Sequence, residues 1–588
     1  MKKTIARVKN FICPDWVYML LLVVYSMRFV GWGVDMWDAG YSYANFQYMG
    51  YEHMDSMWLF STFLANAVGH FLTKLPFANT LLGMNVYTTL FISALAITGY
   101  LFYTKTLKVP KWITFLGELI ALSVCWCPSA VLYNYMSYLL VAVCVVLLYK
   151  GITKEKQWFL FAAGICLGAN VLTRFSNLPQ MALIVGVWAY GVLTAIETKE
   201  KGAFAQTLRR TLWCLGGYLT GLLSLMSYIH IKYGLDAYVQ GIIRLFSMTE
   251  TEKDYTPITM VLSLLYSYYI NLFWVAKMLV VMLIGIVIWV IAEKLNKQKI
   301  AIILNVALVA GMICKLYIDG FCSLNFYAYD SIRDPSTVFM FLAMLIAFIK
   351  FIRKDIAKDE KLVGVLVVLV LFISSIGSNN GIYSGMNNLF LVAPYVLWNG
   401  YQLLKNKRCL FPIKAVLTGF LLFYFCQNML FGTTFYYAEA RGEQNITATV
   451  ENNKVLAGIK MNPEKAEILT GLYDYVVKND LQDRETIVLG QIPSLAYYLQ
   501  MPPAFNAWID LGSYSKSQFE LDLGTLQQQM DAGEVKPPVI IVSDAYENYE
   551  PYRSYQDSPK WDVLTEFMEE NGYFKTFVKG EYTVYEAD

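Results

Sequence analysis

The segment Gly31 to Phe46, GWGVDMWDAGYSYANF, places two carboxylates, Asp35 and Asp38, just beyond the first long apolar run of the chain. A carboxylate held where an apolar layer meets water can take a proton from a hydroxyl, so either acid could serve as a general base. A plainer role stays open beside it, because an acid in such a place also caps turns. The histidines His53, His70 and His230 fall in comparable polar stretches, but their spacing fits no metal motif. A divalent cation on Asp35 or Asp38, shared with a phosphate, stays open, and no metal ligand set can be named.

The elements that must carry these acids are set by composition. Of 588 residues, 57% are hydrophobic and 16% charged, and the mean hydropathy is +0.43, which places the chain outside the soluble class. The apolar residues come in runs long enough to cross a hydrocarbon core of ~30 Å as helices. About 13 transmembrane helices are expected near residues 13–33, 82–104, 112–130, 136–150, 157–173, 179–196, 211–229, 275–293, 299–317, 336–352, 361–377, 387–403 and 411–430. Lys2, Lys3, Arg7 and Lys9 precede the first, which reads as an uncleaved anchor. The N-terminus and alternate loops carry 26 Lys and Arg, the opposite loops six. Basic residues resist translocation, so the N-terminus is expected in the cytoplasm and, with an odd number of spans, the C-terminus outside. Among the few basic residues on the outer side are Arg174, Lys232, Arg244 and Arg333, which could hold an anionic substrate or simply snorkel.

Residues 1–430 therefore read as a membrane module with an outer loop, 34–81, holding the candidate active site. Within that loop, Met54 to Leu75 mixes Trp, Phe and Leu with polar residues at helical spacing, suited to lying in the interface; residues 230–274, with a Thr249-to-Asp254 polar run and a Tyr-rich stretch, suit the same role. Residues 431–588 hold 25 acids against 12 bases and no cysteine, and read as an extracytoplasmic soluble α/β domain. Its expected strands are Thr486 to Gly490, Val539 to Val542 and Tyr582 to Tyr585; its expected helices are Lys465 to Lys478, Ser517 to Ala532 and Trp561 to Asn571. Membrane lipid is an implied partner, whereas nothing suggests nucleic acid. Glu118, inside the third apolar run, receives no role.

Asp38-Ala-Gly-Tyr41 resembles the D-E-x-Y pattern in the first outer loop of GT-C glycosyltransferases, the group that includes protein O-mannosyltransferases and the lipid A aminoarabinose transferase. Ala39 stands where the second acid is usual. The layout of spans, long first outer loop and exported tail is similar across almost the whole chain, and Gly490-Gln-Ile-Pro-Ser-Leu-Ala-Tyr-Tyr-Leu499 and Asn571-Gly-Tyr573 resemble segments of such bacterial tails. The resemblance implies a membrane glycosyltransferase that moves a sugar from a polyprenyl-phosphate-linked donor to a hydroxyl of a glycan, lipid or protein acceptor at the outer face of the cell membrane. Asp38 is then the first choice of base and Asp35 the second. The rivals are a transporter or flippase of lipid-linked saccharides and a polysaccharide polymerase or ligase. A non-catalytic assembly module on a membrane anchor is a further one.

Overall fold

The computed structural model describes residues 13–50, 55–125, 131–198, 202–247, 257–376, 380–436, 445–490, 492–505, 514–543 and 555–587. The basic N-terminal residues, His53 and the Thr249-to-Asp254 run lie outside them. Helices α1 (Asp15–Ser26), α2 (Asp38–Gln47), α3 (Ser56–Ser61), α4 (Phe63–Leu72), α5 (Leu81–Leu101), α6 (Lys111–Val124), α7 (Leu132–Thr153), α8 (Gln157–Thr173), α9 (Val185–Thr198), α10 (Ala203–Tyr233), α11 (Leu235–Ser247), α12 (Pro257–Lys294), α13 (Gln298–Ile318), α14 (Arg333–Ile352), α15 (Lys358–Ser375), α16 (Val392–Lys405) and α17 (Phe411–Thr434) form the apolar part. Their ends follow local chemistry. Thr80 caps α5 by accepting from the Gly83 N–H at 3.1 Å, and Pro110 precedes α6.

Every expected span contains a helix, but among the described residues eight are long and apolar enough to cross a membrane: α5 with its π-helical extension to Thr106, α7, Phe175–Glu197, α10, α12, α13, α14 and α17. The difference from thirteen has physical causes. Helices α1, α6, α8 and α16 have 12, 14, 17 and 14 residues, shorter than the ~20 that a full crossing needs. Helix α15 opens on Lys358, Asp359, Glu360 and Lys361. The outer segment near 230–274 also departs from the expected interfacial stretch. Its Tyr-rich part belongs to α12, a continuous helix of 38 residues and so about 57 Å long, while α11 stands apart and packs on α3. The Met54-to-Leu75 stretch does form helices, α3 and α4, but Met57, Leu59, Phe60, Phe63 and Ala65 are buried inside the protein.

Helix α8 carries a functional candidate at its end and is fixed by the closest helix pair. Gly164 and Gly168 of α8 lie against the α10 backbone at Cys214 and Tyr218, and Gly217 and Gly221 of α10 against the α8 backbone at Phe161 and Ile165, so tightly that a Cβ at Gly168 would lie 2.1 Å from the Tyr218 carbonyl oxygen. Such spacing of small residues lets backbones touch where lipid offers no hydrophobic drive for association.

The C-terminal part holds α18 (Pro463–Lys478), β1 (Thr486–Leu489), α19 (Leu495–Leu499), α20 (Lys516–Asp531), β2 (Val539–Ser543), α21 (Pro559–Glu570), β3 (Phe574–Lys579) and β4 (Tyr582–Glu586). The sheet order is β1-β2-β4-β3; β1 pairs parallel with β2 (Thr486 with Val539), and β4 is antiparallel to β2 and β3. Strand residues alternate between two cores. Ile487, Leu489, Ile540 and Val542 pack with Phe519 and Leu523 of α20 and Leu564 of α21. Val488, Val539, Ile541 and Val584 face the other way, into a core that continues through Val34, Tyr43, Phe46, Leu81 and Met84. The tail and the loop between α1 and α5 thus share one hydrophobic interior.

Replacing Gly168 by Leu should separate α8 from α10 and move the chain that follows α8. The overpacking cost of ~1–3 kcal/mol should appear as a lower melting temperature of the purified protein in detergent, whereas Gly311→Leu on α13, where a Cβ meets no neighbour, should leave it unchanged.

Candidate active site

Beyond α1 the chain turns over residues 27–31, and its backbone then pairs with the tail: the Gly33 N–H donates to the Lys460 carbonyl at 2.7 Å and the Lys460 N–H to Gly31 at 2.8 Å. Asp35 then ends this stretch by capping α2. Its two carboxyl oxygens accept from the Trp37 N–H at 3.0 Å and the Ala39 N–H at 2.7 Å, and the residue is 4% exposed. Burial is the main reason its pKa is pushed up to about 7; the charge on Asp38 adds to this and the two N–H donors oppose it. Asp38 is the first residue of α2 and is half-buried, so the base favoured by the sequence keeps contact with solvent. The two acids are neighbours with different surroundings.

The backbone between them is held from the far end of the chain. The Tyr498 hydroxyl donates to the Asp35 carbonyl at 2.5 Å; the Ser494 hydroxyl lies 2.8 Å from the same oxygen and 3.2 Å from the Trp37 carbonyl; and the Ser494 N–H donates to Met36 at 3.1 Å. Helix α2 lies so close that a Cβ on Gly40 would sit 2.2 Å from the Ser494 Oγ, which explains the glycine in Asp38-Ala-Gly-Tyr41. Asn453 secures α19 by donating to the Tyr498 carbonyl at 3.0 Å, and Gln47 pairs with Gln500. Two of the segments that carry the family resemblance, residues 38–41 and 490–499, therefore touch. Nothing in their spacing signals this, since they are 459 residues apart in sequence.

A second polar group lies on the same loop. Asp55 caps α3 through the Met57 N–H at 2.6 Å and pairs with Arg244 of α11 at 2.8 Å; Arg244 also reaches Asp522 of α20 at 3.2 Å. Tyr514 and Gln518 hydrogen-bond to Asp522. Burial pushes the Asp55 pKa up to about 6, Arg244 pulls it down and Asp522 raises it. Arg244, expected to meet a substrate anion, thus sits between two carboxylates, and Asp522 is a member that the sequence did not single out. Near it in the fold, Tyr41 packs edge-on to Trp58 with ring centroids 5.3 Å apart.

Arg174 follows α8 in an extended conformation, donates to Asn134 at 3.1 Å, and lies 5.4 Å above the Tyr133 ring. Below it, buried Asn170, Asn177, Gln180 and Ser137 hydrogen-bond to one another and hold the 3-10 segment Phe175–Ile184. Lys232 stacks on Tyr233, while Arg333 stacks on Tyr383 and pairs with Asp334; among the described residues no hydrogen bond or ion pair joins either to Asp35 or Asp38. His70 contacts the Phe46 carbonyl at 2.9 Å and His230 is exposed. Among the described residues no three His, Cys, Asp or Glu side chains come together as a metal site.

No protein-family model and no curated protein matches the chain. Its overall shape is similar to ArnT from Cupriavidus metallidurans. The structure of that protein bound to undecaprenyl phosphate is 11% identical, covers 97% of each chain and gives a TM-score of 0.39. Its apo state is 10% identical, covers 99% of this chain and 98% of that one, and gives a TM-score of 0.34.

Removing both hydroxyls, Ser494→Ala with Tyr498→Phe, leaves the buried Asp35 carbonyl without those donors, at a cost of ~1–3 kcal/mol. Hydrogen exchange at the backbone N–H groups of Trp37 and Ala39 should rise in that variant while exchange in α5 stays as in wild type. Unchanged protection of these two groups would show that the tail does not hold the loop.

Proposed function

We propose that the chain is a GT-C-like membrane glycosyltransferase that uses a polyprenyl-phosphate-linked sugar, acting at the outer face of the cell membrane. In this reading the N-terminus is cytoplasmic, thirteen segments pass through the bilayer (the eight long apolar helices together with the shorter α1, α6, α8 and α16 and the charge-opened α15, each extended by its flanking apolar sequence), and residues 431–588 form an extracytoplasmic α/β domain. The supporting observation is the arrangement of Asp38: a solvent-touching carboxylate in the first turn of α2, directly after the first apolar helix, on a loop fixed by Asp35, Ser494 and Tyr498.

The reaction balances simply. Asp38 takes the proton of the acceptor hydroxyl, the oxygen bonds to the anomeric carbon, and the carbon–oxygen bond to the donor phosphate breaks with its electron pair on the phosphate. Arg174, which follows α8 and donates to Asn134, is the first candidate for the cation that stabilises that leaving group. Arg244 is second, since Asp55 and Asp522 already compete for it. Lys232 and Arg333 are retained as outer-side cations for the lipid phosphate. Asp35 acts by capping, and its raised pKa removes a like charge from beside Asp38 over the range in which it stays protonated.

One observation favours the transporter reading. Glu118 of α6 is fully buried, both its oxygens lack a hydrogen-bond partner among the described residues, and an acid inside a helical bundle is a common mark of an ion or substrate path.

Release of free polyprenyl phosphate from a panel of polyprenyl-phosphate sugars, by the purified protein in liposomes, separates the two. The transferase reading expects release that depends on acceptor, with Asp38→Asn lowering kcat by ~10²- to 10⁴-fold and leaving donor binding nearly intact. Movement of the intact donor across the bilayer without release would establish the transporter instead.

A further inference from the structure

On the side of the bundle where the basic loops gather, the turn between α7 and α8 and the start of α10 enclose a cavity of about 160 Å³, lined among others by Glu155, Gln157, Gln206, Arg209 and Arg210. Arg210 is 6% exposed, yet the contacts of its Nη2 are long: 3.4 Å to the Ile152 carbonyl and 3.5 Å to Glu155. A guanidinium carries five donors and forms its strong bonds to oxyanions at ~2.7–2.9 Å, so this one is under-satisfied. Its acidic neighbour is a loose one. The Glu155 side chain is 70% exposed, and the same carboxylate oxygen also accepts from Gln206 at 3.3 Å. Glu155 therefore does weakly, from the rim, what an oxyanion inside the cavity would do at shorter range.

We propose that this cavity binds a phosphate anion, presented by a membrane phospholipid headgroup. Arg209, Arg210, Gln157 and Gln206 supply donors to the phosphate oxygens, and Gln157 opens the 17-residue α8, whose N-terminal N–H groups add a positive end. Lys154 and Lys156 flank the turn, so the rim stays net positive beside Glu155. Exposed Trp158, next to Gln157, and Trp213, one turn along α10 from Arg209 and packed on Phe161 of α8, suit acyl chains, which is why the lipid is favoured over soluble phosphate. The site involves neither Asp35 nor Asp38, and it does not depend on the proposed transferase activity.

The full chain in detergent is titrated with phosphatidylglycerol, with diacylglycerol of the same chains, or with inorganic phosphate, and the rise in melting temperature is followed. Phosphatidylglycerol should raise it and diacylglycerol should not. Arg209→Gln, at an exposed position, should keep the ligand-free melting temperature and raise the half-saturating lipid concentration about tenfold, as loss of one charged contact implies. Arg210→Gln should do at least as much, and Glu155→Gln, which removes the competing anion, should lower that concentration. A rise with inorganic phosphate alone, abolished by Arg209→Gln, would keep the anion site and transfer it to soluble phosphate. An equal rise with diacylglycerol, no rise with either phosphate, or a rise that survives both arginine substitutions would overturn the proposal.

Discussion

One carbonyl oxygen, that of Asp35, ties the loop after α1 to the C-terminal tail. It receives the hydroxyls of Ser494 and Tyr498 in a setting closed to water, where an unmet acceptor is costly. Because those hydroxyls belong to the tail, the course of the loop after α1 is tied to the tail packed against it. The pairing of Gly31 and Gly33 with Lys460, and the core shared by Tyr43, Phe46, Val488 and Ile541, join the same two parts of the chain. A soluble tail with its own closed interior would have allowed the two parts to move independently. Here the β-sheet gives one of its faces to the membrane module.

The same loop separates the roles of its acids. Asp35 is desolvated, and burial holds its proton well above the ordinary carboxylate range although its two N–H donors pull the other way. Asp38 stands in the first turn of α2, where the helix's positive end favours an anion, and it meets solvent. Two acids three residues apart are thereby given unlike environments, the usual way in which a base and its support are kept distinct. Asp55, Arg244 and Asp522 repeat the theme farther along: a cap, a cation and a tail acid join α3, α11 and α20.

The helices were legible because apolar runs and charge breaks leave a one-dimensional trace; α8 matches the expected 157–173 run at both ends. Spans were harder to count, because α6 and α16 are short in the structure although the apolar runs that contain them are not. Strands β1, β2 and β4 showed as β-branched or aromatic runs, while β3, FKTFVK, interleaves lysines, lies largely exposed at the sheet edge and gave no such run. Asp35 and Asp38 were visible as acids beside an apolar segment. Ser494 and Tyr498 were not visible as partners of Asp35, nor Asp522 as a partner of Arg244, because contacts across more than 270 residues leave no periodicity to read.

The account rests on Asp38 as base and Asp35 as cap, and the pH dependence of kcat/KM distinguishes them most directly. In wild type, kcat/KM should rise with pH through the ionisation of one acid and then level off. If Asp38 is the base, that rise persists in Asp35→Asn, in whatever fraction folds, and disappears in Asp38→Asn along with most of the rate. If the rise is centred near the Asp35 pKa of about 7, vanishes in Asp35→Asn and survives in Asp38→Asn, the assignment is contradicted and the buried acid is the base.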